Sequence, residues 1–178
     1  MMRINKAQRV GVFVDVQNMY YSAKFMYKAK VDFSQILRTA VQGRSLIRAI
    51  AYVIKTDIGE EKGFFDALEN IGFEVKMKDL QVFYGGNKKG DWDIGIAMDI
   101  VRLSSKVDNI VLVSGDGDFK ELLQYVKAQG CRAEVMAFGS SSSKQLVEEA
   151  DAVYDLSQDP KRFLIPKKRL AKKLTPRK

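Results

Sequence analysis

Residues 9–15 read Arg-Val-Gly-Val-Phe-Val-Asp, an unbroken apolar, β-branched run that ends on an acid. Such runs belong to strands buried on both faces, as in a parallel sheet covered by helices. Parallel neighbours need crossover connections, so the chain that follows must alternate helix and strand. The pattern supplies that alternation. It predicts helices over about 19–27 and 33–41, a strand over 47–54, and a helix over 60–71 stopped by Gly72. A third strand is expected over 73–83 and a loop over 84–90, then a helix over 91–104 and a fourth strand over 109–114. Gly115-Asp116-Gly117 reads as a tight turn before a helix over 119–129. A fifth strand (133–138), a helix (144–150) and a short sixth strand (153–156) complete the body, with no internal repeat. This order specifies a three-layer α/β fold with a mainly parallel sheet of five or six strands and right-handed crossovers. In such sheets ligands bind beyond the carboxyl ends of the strands, where strand order reverses.

Composition narrows the chemistry. A chain of 178 residues is one domain's worth of core. It holds one cysteine, Cys131, and no histidine. No internal disulfide, Cys zinc site, Ser-His-Asp triad or His general base is possible, and a reducing, cytoplasmic setting is expected. No apolar run approaches the roughly 18 residues of a membrane span. The polar start leads into a strand rather than a signal peptide.

The net charge of +8 is unevenly placed. Residues 161–178 hold nine Lys/Arg and no acid, which leaves 1–160 with 21 basic against 22 acidic residues. All three prolines lie at 160 or beyond. The composition therefore divides the chain into a near-neutral body, 1–159, and a basic tail, 160–178.

Acids collect at the expected ligand edge. Asp15 ends the first strand, with Asn18 three residues on; Ser114-Gly115-Asp116-Gly117-Asp118 ends the fourth; Lys89-Gly90-Asp91-Trp92-Asp93 opens the helix before it, with Asp99 further along. Clustered carboxylates repel and are costly to desolvate, so a cation is the natural neutraliser. Hard oxygen donors without His or Cys select Mg²⁺ or Mn²⁺, which serve phosphodiester hydrolysis well. Asp118, Asp91 and Asp93 equally suit helix caps. Asp15, at the end of a buried strand, has no comparable capping role. Asp93 and Asp99 stand roughly 240° apart on a helix, so they do not share one face.

Other motif readings fail. The 114–118 segment lacks a dinucleotide fingerprint's third glycine, Asp91 stands where a P-loop needs lysine, and Lys120 and Lys127 occupy EF-hand ligand places.

At these residues the chain resembles the NYN domain family, in its LabA-like (DUF88) bacterial branch, related to PIN-domain nucleases. The likeness rests on Phe13-Val14-Asp15-Val16-Gln17-Asn18, on Lys89-Gly90-Asp91-Trp92-Asp93-Ile94-Gly95-Ile96-Ala97-Met98-Asp99, and on Leu112-Val113-Ser114-Gly115-Asp116-Gly117-Asp118-Phe119. It spans about residues 9–156. It implies a Rossmann-like PIN fold, a divalent-metal site at Asp15, Asp93 and Asp116 with Asp99 or Asp118, and endonucleolytic cleavage of RNA to a 5′-phosphate and a 3′-hydroxyl.

Asn18 and Ser114 are expected to support the site. Lys88 and Lys89 in the body, and Lys167, Lys168 and Arg169 in the tail, are candidate phosphate contacts. Trp92 offers either a stack for an unpaired base or a core anchor, with the anchor preferred, and the aromatics Tyr20, Tyr21, Phe25 and Tyr27 offer either a face to nucleotides or packing, with packing preferred. The serines at 140–143 offer amides to a phosphate. The function expected is a Mg²⁺- or Mn²⁺-dependent ribonuclease. The alternatives are a non-catalytic RNA-binding or regulatory module that keeps the acidic pocket, and a hydrolase of small phosphate esters, which the basic tail disfavours. The expected partner is RNA, single-stranded or structured, with no membrane; a homodimer is compatible with the sequence.

Overall fold

The computed structural model describes residues 5–55, 61–82 and 88–166. β1 (Arg9–Asp15) passes without a linker into α1 (Val16–Ser22), which continues as a π-helical turn over Ala23–Tyr27. β2 (Ala29–Val31), α2 (Phe33–Val41), β3 (Ser45–Lys55), α3 (Glu61–Ile71) and β4 (Glu74–Asp79) follow. β5 (Gln81–Val82) and β6 (Lys88–Lys89) pair antiparallel ahead of α4 (Asp93–Ser104) and β7 (Asn109–Val113). A 3₁₀ turn at Gly117–Phe119 opens α5 (Lys120–Ala128), followed by β8 (Arg132–Ala137), α6 (Lys144–Glu149) and β9 (Ala152–Asp155). α7 (Pro160–Phe163) and β10 (Leu164–Pro166) end the described chain.

Six strands form one sheet in the order β4-β3-β1-β7-β8-β9, and every neighbouring pair is parallel. The architecture is the expected α/β sandwich, with the central sheet at six strands and a PIN-like fold. The strand order reverses between β1 and β7, which places the ligand crevice at their carboxyl ends.

Alternation along each strand divides the core in two. Val10, Val12 and Val14 of β1 face a layer built from α1, α2 and α3, with Met19, Phe33, Ile36 and Leu68 buried there. Phe13, Ile50, Ile110 and Leu112 point the other way, against Ile96 and Ile100 of α4 and Leu123 and Val126 of α5. With helices on both faces, the central strands need no polar side, which is why β1 and β7 read as continuous apolar runs. Among the described residues no helix is long and apolar enough to cross a membrane.

Three differences from the sequence expectation have physical causes. The helix expected from 19 begins at Val16, because the Asp15 side chain caps it. The third strand stops at Asp79 rather than 83: its parallel partner β3 ends at Lys55, opposite Asp79, and the chain then turns into the β5–β6 pair. Packing also continues past the composition shift at 159. β10 pairs antiparallel with β2, and Phe163 and Leu164 are buried in the core.

Candidate active site

β1 and β7 run side by side up to the pair Val14–Val113, so the residues that follow them are neighbours at the carboxyl edge. Asp15 is the last residue of β1. Its Oδ1 accepts the Asn18 amide at 3.0 Å and its Oδ2 accepts the Ser114 hydroxyl at 3.4 Å. Asp15 is thus an N-cap after all, because a strand that passes straight into a helix leaves its last side chain facing the orphan amides. Burial, opposed by the Asn18 amide and reinforced by the charges of Asp93 and Asp116, pushes its carboxyl up to about 6.

A hydrogen-bonded loop holds Asp116. Its amide donates to Ser114 Oγ at 3.2 Å, and its own Oδ1 accepts the Asp118 amide at 3.0 Å. Asn18 Oδ1 accepts the Gly115 amide at 3.0 Å, and the Gly115 carbonyl accepts the Ser143 amide at 2.9 Å. Gly115 is required by this approach: a Cβ there would stand 2.9 Å from the Ser141 carbonyl oxygen. Asn18 and Ser114 therefore act as ties between the loops rather than as free polar groups. The serine run is equally engaged, since the amides of Ser141, Ser142 and Ser143 donate to the carbonyls of Phe138, Gly139 and Gly115. Those amides do not face a phosphate.

Asp93 is the first residue of α4 and makes no cap; that position belongs to Trp92. Trp92 is the expected anchor. Its Nε1 donates to the Val53 carbonyl at 2.9 Å, and its ring packs edge-on against Tyr52 at 5.2 Å between centroids. The anchor fixes Asp91 and Asp93 on either side of it. Burial, then the charges of Asp116, Asp91 and Asp118, raise the Asp93 carboxyl above its usual range. One carboxylate oxygen from each of Asp93, Asp116 and Asp118 lies within 4.8 Å of the others. Asp15, Asp93 and Asp116 line a single open cleft of about 570 Å³, together with Asp91, Asn18, Tyr21 and Phe25.

Asp99 does not join them. It is buried on another face of α4, where the Tyr52 hydroxyl donates to it at 2.8 Å and Lys76 Nζ at 2.6 Å, with Arg102 at 3.5 Å. Burial alone would raise its carboxyl, but the Lys76 and Tyr52 hydrogen bonds and the nearby cations hold it below the usual range. The sequence reading that counted Asp99 among the catalytic acids is corrected on this geometry: its charge is already neutralised by the protein. The angular offset from Asp93 was the sequence signal for this outcome.

Lys88 and Lys89 form β6, and their side chains lie outside the described residues, as do Lys167, Lys168 and Arg169. Asp91, which the sequence placed at this edge with a helix cap as its alternative and left out of the site residues, lines the cleft. The sequence also favoured packing for Tyr20, Tyr21 and Phe25, whereas they are 48%, 44% and 63% exposed. Only Tyr27 packs, against Phe138 at 5.3 Å. The available signal was position: Tyr21 and Phe25 sit one turn apart on the helix that Asp15 caps. Cys131 is buried, and its thiol is pushed up to about 11, which leaves it unreactive.

The NYN domain model matches residues 9–157. The chain is 28% identical over 162 residues to the low amplitude and bright protein LabA of Synechococcus elongatus, across 85% of this chain and 86% of that protein. It is similar in structure to a protein of unknown function from Vibrio parahaemolyticus, with a TM-score of 0.82 and 31% identity over 92% of this chain and 100% of that one. The family match runs from the start of β1 past the end of β9 and takes in every acid of the cleft, so the chain belongs to the NYN domain family and is LabA-like.

Proposed function

We propose that the chain is a divalent-metal-dependent endoribonuclease acting through its aspartate cluster. The observation that carries this reading is the meeting of Asp93, Asp116 and Asp118 within 4.8 Å, beside Asp15, at the edge where the strand order reverses. The donor set suits a hard cation: all oxygens, three carboxylates, no nitrogen or sulfur. Asp93, Asp116 and Asp118 would hold Mg²⁺ or Mn²⁺, with Asp15 beside them. When bound, the cation offsets their repulsion and stabilises the negative charge that builds on the phosphoryl oxygens.

The chain's own residues supply the rest. Asn18 and Ser114 fix Asp15 and Asp116 relative to each other through the hydrogen bonds between the two strand ends. Asp15, held by the Asn18 amide and the Ser114 hydroxyl at the edge of the cluster, is positioned to accept a proton from the attacking water. Water oxygen bonds to phosphorus, the P–O3′ bond breaks, and a proton passes to the leaving oxygen. The products are a 5′-phosphate and a 3′-hydroxyl.

The test is RNA cleavage in Mg²⁺, Mn²⁺ or chelator, together with melting of the free protein. Mn²⁺ should raise the melting temperature of wild type, because it binds the native state, and Asp116→Asn should lose most of that rise along with activity. Asp99→Ala is the contrast. It strands the buried Tyr52 hydroxyl at a cost of about 1–3 kcal/mol, yet should keep the Mn²⁺ response. An equal Mn²⁺ rise in Asp116→Asn would sink the metal assignment. A second reading, an RNA-binding module without cleavage, is favoured by the withdrawal of Asp99 from the cluster. RNA retained intact in both metals would select it.

A further inference from the structure

We propose that Tyr21 and Phe25 form a stacking platform for an unpaired base of single-stranded RNA, set at the rim of the acidic cleft. The inference rests on the nuclease reading only for what the neighbouring phosphate meets; stacking itself needs no cleavage.

The two rings lie nearly parallel, 11° apart with centroids at 5.7 Å, and Tyr20 closes against Tyr21 edge-on at 5.4 Å. They are not part of the core. The same helical segment buries Val16, Met19 and Ala23 on its inner side and turns Tyr21 and Phe25 outward. Both rings line the same cleft as Asp15, Asp93 and Asp116. Large aromatic faces left in water beside a charged site are a standing preference for a flat apolar partner. Nucleobases provide one, and every base has such a face.

The charge around the platform fits the same partner. Residues 16–31 contain three lysines and no acid. Lys24 Nζ lies 5.4 Å from the Tyr20 ring centre and 5.9 Å from that of Phe25, and Lys28 and Lys30 are exposed. Cations interleaved with aromatics hold a backbone phosphate while the base stacks. The acids of the same cleft would then meet the adjacent phosphate. A duplex keeps its base faces covered, so the platform selects unpaired strands. β2 follows the π-helical turn closely and pairs with β10, so Pro166 lies opposite Ala29.

Binding of a labelled, unstructured RNA by the full chain in chelator tests the platform, with melting as a check on folding. Tyr21→Leu/Phe25→Leu should bind roughly 5- to 150-fold more weakly, the loss expected for about one base–aromatic stack. Phe25→Trp should bind like wild type, and an abasic strand of equal length should show no difference between wild type and the leucine variant. Equal affinity of wild type and the leucine variant for the RNA would overturn the platform, as would an equal loss on the abasic strand, or RNA that wild type fails to bind. A wild-type dimer that dissociates in the leucine variant with RNA affinity unchanged would also overturn it, and would mark a contact between copies. Platform-dependent binding without cleavage removes the nuclease reading alone. Cleavage with platform-independent binding removes the platform alone.

Discussion

Asp15 carries two roles that pull in opposite directions. Its cap hydrogen bond stabilises α1, while burial beside Asp93 and Asp116 makes its charge unfavourable. Its folded value of about 6 lies above the ordinary 3.8, so the folded state binds the proton more tightly than the unfolded chain. Below 3.8 both states are protonated and there is no penalty. Stability then falls as pH rises from about 4 to about 6, and the full penalty applies above that. At about 1.4 kcal/mol per pH unit, the penalty is on the order of 3 kcal/mol. Asp15→Asn keeps an acceptor for the Asn18 amide and removes the charge. In chelator it should therefore be more stable than wild type at pH 7 and should lose that advantage by pH 4. Urea unfolding of both proteins across this range checks it, and a mutant less stable than wild type at pH 7 would show that the cap outweighs the repulsion. The positions of Asp116, after a buried strand, and of Asp93, at the start of the helix before it, were legible in the sequence, although a helix start left Asp93 open to a capping role as well. The cap at Asp15 was not, since it depends on β1 and α1 meeting without a linker. The partners of Asp99, Tyr52 on β3 and Lys76 on β4, are brought to it only by the folded sheet.

At the scale of elements, α4 depends on a contact that its helical pattern conceals. Gly95 lies inside the first turn, where alanine would ordinarily stabilise a helix by about 1 kcal/mol. A Cβ there would stand 2.5 Å from Trp92 Cε3. Gly95→Ala should instead destabilise by about 1–3 kcal/mol, as overpacking does, and should shift the Trp92 ring that sets Asp91 and Asp93. Trp92 is the sole tryptophan, so its emission reports the displacement directly. The Mn²⁺ rise in melting temperature should shrink with it. A more stable variant with unchanged emission would mean that the ring accommodates the methyl group. The central parallel strands β1, β3, β7 and β8 were readable as apolar runs because helices cover them on both sides. β2 and β10 were not: three residues each, paired across more than 130 positions, they have no local period to detect. The exposed face of α1 was misjudged for a related reason, since aromatics one turn apart look the same whether they meet a core or a ligand.

For the whole molecule, charge and packing divide the chain at different places. Composition changes at about 159, but Phe163 and Leu164 are buried and β10 completes a pair with β2. Seven of the positive charges follow Pro166 in the sequence, from Lys167 onward. Two truncations separate the effects. A chain ending after Asp159 loses a buried phenylalanine and leucine, and should be destabilised by about 3–5 kcal/mol. A chain ending after Pro166 should melt like wild type and keep its response to Mn²⁺. If residues 167–178 act as a phosphate-binding arm, the second truncation should bind RNA more weakly, with a shallower slope of log affinity against log salt. Each phosphate that the shortened chain no longer neutralises should lower the slope by about 0.7 for a single strand. The stacking residues Tyr21 and Phe25 remain in that truncated chain, so its preference for unpaired over duplex RNA should survive while its overall affinity falls. A slope and affinity equal to those of the full chain would assign the tail no part in RNA binding, and the lysines of 16–31 would then have to carry the phosphate contacts by themselves.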